Sequence, residues 1–158
     1  MTAARRSLRF GSLDEAVRDA EHLAAAGYDR AGNWDLAQVC GHLAEWLRYP
    51  LDGFPPAPLP IRVMLRAVRA TMGRRMYESY ILDGMPAGKP TVPASVPPAG
   101  GDPGAAVAAL RAVAERFTAY TGELHPSPLF GRLDKNEATK LQLAHTAHHL
   151  SFLVPRGG

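Results

Sequence analysis

The stretch LQLAHTAHHLSFL, residues 141–153, carries three of the six histidines in this chain of 158 residues. It is apolar enough to predict a buried helix near the end of the chain. At about 100° per residue, His145, His148 and His149 fall on the same side of that helix as Leu141. We therefore expect all three imidazoles to face the protein core.

Burial of several imidazoles side by side requires partners, because unpaired polar groups are costly in an apolar interior. A divalent metal supplies such a partner by accepting neutral ring nitrogens. His145 and His149 have the i, i+4 spacing with which a helix presents two ligands to one ion. His145 and His148, at i, i+3, are also neighbours on a helix. Spacing alone leaves both pairs open, and ordinary hydrogen bonds to core histidines are a further alternative.

A third ligand has to come from another helix, and QVCGHLAEW at 38–46 offers His42 beside the apolar stripe through Leu43. Three protein ligands would leave a coordination position for water or a substrate. Glu45 and Tyr49 follow His42 on the next turns. We expect either of them to orient a nucleophile or to carry a proton, with a solvated surface position as the alternative for Glu45.

The other two histidines are weaker candidates. His125 lies in the loop HPSPLFG, where prolines favour a rigid turn, although a pocket wall is an alternative. His22 falls away from the apolar stripe of its helix, and we expect it to face solvent.

Capping signals and hydrophobic periodicity predict the other elements. Ser12 with Glu15 and Asp134 with Glu137 are typical of helix starts, and Pro50 and Pro155 are expected to end helices. The main helices are predicted at 12–26, 34–49, 105–121 and 134–153.

Residues 54–104 form a long connection between the second and third of these helices. It contains a further basic helix over 61–82, which Gly73 is expected to interrupt, and a Pro/Gly-rich loop over 85–104. The sequence therefore predicts an all-α protein. It is a single domain over 1–158, a four-helix bundle with a long crossover between helices 2 and 3.

Composition excludes several classes of protein. The net charge is +3 and the isoelectric point about 9.3, with arginine spread along the chain. We expect a solvated basic surface and no nucleic-acid binding, since no base-reading motif accompanies the charge. One cysteine excludes an internal disulfide. The N-terminus lacks the apolar core of a secretion signal, and no apolar run is long enough for a membrane helix, so we expect a cytoplasmic location.

Three segments, NWDLAQVCGHLAEW at 33–46, LHPSPLFGRL at 124–133 and LQLAHTAHHLSFL at 141–153, resemble the DinB-like superfamily of metal-dependent proteins. Within it, the chain is most similar to a subfamily known only as a domain of unknown function. The resemblance implies an up-down-down-up order of helices and homodimers. It also implies a divalent metal, often zinc or nickel, bound by His42, His145 and His149, with His148 as an extra residue beside the ligands.

Some members of the superfamily use low-molecular-weight thiols as cosubstrates. An open three-histidine metal would activate a bound water or thiol, so we expect a metal-dependent hydrolase or a thiol S-transferase acting on a small molecule. The alternative is a non-catalytic, metal-stabilised helical module that binds a partner through the basic helix at 61–82.

Overall fold

The computed structural model describes residues 4–88 and 91–157. In these ranges the chain forms five α-helices, one short 3₁₀ turn and one pair of short strands. In chain order they are α1 (Leu13–Ala26), β1 (Tyr28–Arg30), α2 (Leu36–Asp52), α3 (Leu59–Leu82), the 3₁₀ turn (Pro93–Ser95), α4 (Pro103–Ala119), α5 (Lys135–Leu150) and β2 (Leu153–Pro155). The all-α class is confirmed, and residues 89–90 of the predicted loop lie outside the described residues.

The core lies between α1, α2 and α4, with α5 closing one side. Phe117 of α4 is completely buried and belongs to the same core cluster as leucines of α1 and α2 such as Leu23 and Leu43. The bundle packing of these helices agrees with the predicted apolar stripes, because side chains three and four residues apart share one helix face.

The helix starts follow the predicted capping logic. The Ser12 hydroxyl accepts a hydrogen bond from the backbone N–H of Glu15, and Asp134 forms a complete capping box with Glu137. For α2 the cap is Asp35, paired with Gln38, so this helix begins two residues later than predicted. Side chains that satisfy the free N–H groups of a first turn fix where each helix begins.

The predicted end of α2 at Pro50 is wrong, because the helix continues through Pro50 to Asp52. A proline inside a helix removes one backbone hydrogen bond, which leaves the carbonyl of Trp46 without its usual partner. The Nε2 amide of Gln142 on α5 donates to that carbonyl at 3.0 Å. A tertiary contact therefore satisfies the carbonyl that the proline leaves free.

The predicted end of the last helix at 153 is also wrong. α5 ends at Leu150, and β2 pairs antiparallel with β1, with Arg30 opposite Leu153. The Leu153 side chain is completely buried, and Gly27 adopts a left-handed φ of 72° that lets the chain turn into β1. Burial of Leu153 and pairing with β1 are gained in the extended conformation, which explains why the helix stops early.

Gly73 does not interrupt α3, which runs unbroken for 24 residues. Gly73 is buried, and a Cβ there would lie 3.0 Å from the carbonyl oxygen of Leu129, so the glycine permits a close approach. Tyr77 anchors this half of α3 by donating to the carbonyl of Glu137 at 3.0 Å. The first half of α3 exposes apolar side chains, including Val63 and Met64. No helix within the described ranges is both long and apolar enough to cross a membrane.

Candidate metal centre

His42, His145 and His149 come together where α2 faces α5. One ring nitrogen from each lies within 4.8 Å of the others. The Nε2 atoms of His42 and His145 are 3.2 Å apart, and the ring centroids of His145 and His149 are 4.6 Å apart. Two nitrogens from successive turns of α5 thus converge with one from α2. This is the geometry that the i, i+4 spacing predicts for two ligands on one helix.

His42 is completely buried, and Ser95 of the crossover loop contacts its ring. Its Nδ1 lies 3.0 Å from the hydroxyl and 3.2 Å from the carbonyl oxygen of Ser95. That hydroxyl donates its own hydrogen to the carbonyl of Val92 at 2.7 Å, so it can only accept from His42. Nδ1 therefore carries the proton. The free lone pair of His42 is on Nε2, which points at His145.

Two tryptophans enclose the three histidines. The Trp34 indole stacks on His149 with the rings 2° from parallel and their centroids 5.1 Å apart. The Trp46 indole meets His145 edge-on at 5.4 Å. Both indoles and the rings of His145 and His149 are half-buried, so the indoles cover part of the centre. The cover lowers the local dielectric constant, which strengthens charge interactions there.

Burial lowers the pKa of all three histidines. The pKa of His42 falls to about 4, where the bond to the Ser95 carbonyl only partly opposes the effect of burial. Burial and then the neighbouring histidines hold the pKa values of His145 and His149 well below the usual range. All three rings are therefore neutral at pH 7, the state in which imidazole binds a metal.

The prediction that His148 faces the core with its neighbours is wrong. Its ring lies perpendicular to that of His149, with centroids 4.9 Å apart, and its Nδ1 contacts groups outside the cluster. That nitrogen lies 3.0 Å from Nη2 of Arg5 and 2.9 Å from the carbonyl oxygen of Met85. Contacts with the N-terminal segment and with the turn after α3 thus turn His148 to another side of α5.

Glu45 and Tyr49 stay predictions as catalytic groups. The Glu45 carboxylate pairs with Arg48 on the same helix. The Tyr49 ring packs against Trp46 at 5.4 Å, and burial together with Glu45 raises the pKa of its phenol. Among the described polar contacts, neither residue bonds to a ring of the three histidines.

The remaining candidates lie apart from the cluster. His22 is exposed on α1, as predicted. His125 is also exposed, and its backbone N–H donates to the carbonyl of Pro50 at 2.8 Å, which fits the predicted structural turn. Cys40 is buried, and burial raises the pKa of its thiol to about 12, so it is no nucleophile at neutral pH.

Sequence reasoning missed Ser95, Trp34 and Gln142. Ser95 lies in a Pro-rich loop 53 positions from His42, and no local pattern connects such distant residues. Trp34 was part of a recognised segment, but the helix that follows it begins only at Leu36, so helical periodicity could not place it. Gln142 had a usable signal, since it lies three residues before His145 on the same helix face.

The comparison with protein families gives one result. Residues 2–156 match the family described as a protein of unknown function, DUF1569. The chain belongs to this family. No curated protein and no solved structure matches the chain. Family membership agrees with the predicted subfamily of unknown function, and it names no reaction.

Proposed function

We propose that this DUF1569 protein binds one divalent metal ion through His42, His145 and His149 and uses it to activate a small nucleophile. The observation that carries the proposal is the convergence of three ring nitrogens within 4.8 Å. Neutral imidazoles of this kind suit zinc, nickel and neighbouring metals of the first transition row. The DinB-like resemblance, which implies zinc or nickel, supports the same choice.

The donor set fits such an ion. The hydrogen bonds of Ser95 fix the proton of His42 on Nδ1 and leave Nε2 free, an arrangement that is usual for histidines that bind a metal. Burial keeps the ring of His42 neutral at pH 7, so no proton has to be displaced from Nε2. The two histidines of α5 add donors from successive turns of one rigid helix.

Catalysis is favoured over a purely structural role because three protein ligands would leave one coordination position of the metal free. Structural zinc sites are closed by four protein ligands, whereas catalytic sites keep a position free. Within the described residues the cluster holds three histidines, and no carboxylate or thiol completes it. When bound there, a divalent ion supplies Lewis-acid activation of a water or a thiol. Trp34 and Trp46 cover part of the cluster, and the hydrogen bond to Ser95 fixes the orientation of the His42 ring.

The reaction class that fits is hydrolysis or thiol transfer on a small electrophile. Glu45 and Tyr49 remain the candidates for moving a proton.

The second candidate function is a non-catalytic module in which the metal joins α2 to α5. It is favoured by the apolar surface that α3 exposes at Val63 and Met64. Homodimer formation and a cytoplasmic location stay predictions.

Metal analysis of protein purified without a histidine tag tests the proposal. We expect about one ion per chain, lost in the variants His42→Ala, His145→Ala and His149→Ala. His22→Ala, at an exposed position on another helix, is the matched control. Equal metal content in the triad variants and in the control would show that the cluster is a set of core histidines.

Activity assays separate the two functions. Activated esters, and thiol-reactive electrophiles with a small thiol added, should be turned over by the metal-loaded protein and not after chelation. The outcome that favours the non-catalytic module is a large fall in melting temperature on chelation, with no turnover of any substrate before it.

A further inference from the structure

A cleft of about 530 Å³ lies on the side of α5 opposite the core, separate from the three histidines. The N-terminal segment 5–10 forms one wall, and the end of α3 with the turn after it forms the other. Its floor is α5, where Ala144 and Ala147 leave room because their side chains are small. This volume is in the range of small-molecule sites in proteins.

Three cations line the cleft without a carboxylate to neutralise them. Arg5, Arg9 and Lys140 form no ion pair with a carboxylate of residues 4–88 and 91–157. Arg6 differs, since both its terminal nitrogens bond to Asp19, at 2.8 and 2.7 Å. Asp83 is the single acidic residue in the described lining, so the cleft carries an excess of positive charge.

The wall that carries Arg5 and Arg9 is held in place by hydrogen bonds. The backbone N–H of Arg6 donates to the carbonyl of Ser151 at 2.9 Å, and its side chain donates to the carbonyl of Leu150 at 3.0 Å. Arg9 donates to the carbonyl of Leu82 at 2.8 Å, which joins the wall to the end of α3. A ligand would therefore meet a wall and an Arg9 side chain that are already positioned, which reduces the conformational entropy lost on binding.

The rest of the lining is apolar. Leu8, Phe10, Ile81 and Leu143 contribute side chains, and Tyr80 adds an aromatic ring. Cations beside an apolar surface match a molecule that has an anionic group and a hydrophobic body. An inorganic anion would use only the cations, and a neutral apolar molecule would use only the walls.

We propose that this cleft binds a small organic anion, a carboxylate with an aliphatic or aromatic body. The carboxylate pairs with Arg9 and Lys140, and the body lies against Leu8, Phe10 and Leu143. The cleft is distinct from the metal centre, because its lining contains none of His42, His145 and His149.

The test is isothermal titration calorimetry of the full chain at one fixed salt concentration, with hexanoate, acetate, inorganic phosphate and 1-hexanol. We expect saturable binding of hexanoate, with each of the other three probes weaker by about tenfold or more, since each lacks one half of the recognition. Binding of 1-hexanol as tight as that of hexanoate would overturn the role of the cations. Binding of acetate or phosphate as tight as that of hexanoate would overturn the role of the walls.

Two double variants locate the site. Arg9→Gln with Lys140→Gln removes two charges from the cleft, and we expect hexanoate to bind about tenfold more weakly or worse. The matched control is Arg62→Gln with Arg66→Gln, which makes the same change of net charge at exposed positions on α3. Hexanoate should bind the control as it binds the unaltered chain. No saturable binding to the unaltered chain, or an equal loss in both double variants, would overturn the proposal.

Discussion

Replacement of Ser95 by alanine tests whether the crossover loop prepares the metal centre. Ser95 is 1% exposed, and its hydroxyl accepts from Nδ1 of His42 at 3.0 Å while donating to the carbonyl of Val92 at 2.7 Å. The variant removes both bonds. The Ser95 carbonyl, 3.2 Å from Nδ1, stays as a weaker acceptor for the His42 proton.

The variant should lower both the stability of the protein and its affinity for the metal. Two neutral hydrogen bonds at roughly 0.5–1.5 kcal/mol each should lower the free energy of unfolding of the metal-free protein by about 1–3 kcal/mol. Loss of a partner behind a metal-binding histidine typically weakens metal affinity about 10- to 100-fold. Because one acceptor remains for His42, we expect the lower end, about tenfold or 1.4 kcal/mol.

The assay is competition with a chelator of known zinc affinity, together with urea unfolding in the metal-free state. Ser79→Ala is the matched control, because the Ser79 hydroxyl donates to Asp83 on the exposed surface of α3. The control should change the unfolding free energy by less than about 0.5 kcal/mol and leave zinc affinity unaltered. If Ser95→Ala lost stability but bound zinc as tightly as the unaltered chain, Ser95 would only fasten the loop, and the reasoning about His42 would be refuted.

Three further predictions follow from the packing and the charges. Gly41→Ala should weaken zinc binding in the same competition assay. The added Cβ would lie 2.4 Å from Cγ of Pro97 and displace the crossover loop from α2. Unchanged zinc affinity would contradict this. Phe117→Ala should cost about 3–5 kcal/mol in urea unfolding, since Phe117 is completely buried, and a loss below 1 kcal/mol would contradict its central place. In the presence of a chelator, the pKa of His42 is about 4 in the folded chain and about 6.5 in the unfolded chain. The contribution of His42 to the unfolding free energy should therefore be complete above about pH 6.5 and fall by about 3 kcal/mol as the pH drops to 4. A His42→Gln variant with the same pH dependence would contradict this.

Local signals in the sequence predicted the helices well where a cap or a periodic stripe determines them. The starts of α1 and α5 follow from Ser12 and Asp134, whose side chains accept from backbone N–H groups three residues away. The ends of α2 and α5 could not be predicted in the same way. Their positions depend on the bond from Gln142 to Trp46 and on the burial of Leu153, which are contacts between distant parts of the chain.

The residues of the metal centre differ in the same way, since some follow from local signals and others depend on distant contacts. Helical spacing predicted that His145 has a second ligand beside it on α5 but left His148 and His149 both open, and the DinB-like resemblance chose His149. The apolar stripe of α2 placed His42 at the edge that faces the core. Ser95 could not be predicted, since nothing in a Pro-rich loop indicates which buried side chain it will contact. The proton position on His42, which decides whether its Nε2 can bind a metal, was therefore beyond sequence reasoning.

His148 and His149 are neighbours in sequence but belong to different faces of α5. At about 100° per residue His148 falls only about 20° from Leu141, so helical angle alone predicted an inward-facing ring. Its side was decided by Arg5 and by the carbonyl of Met85, which lie outside the bundle core. α5 thus separates the metal centre from the cationic cleft. Substitutions of His145 and His149 test metal binding, whereas Lys140→Gln tests the cleft and should leave the metal content unchanged.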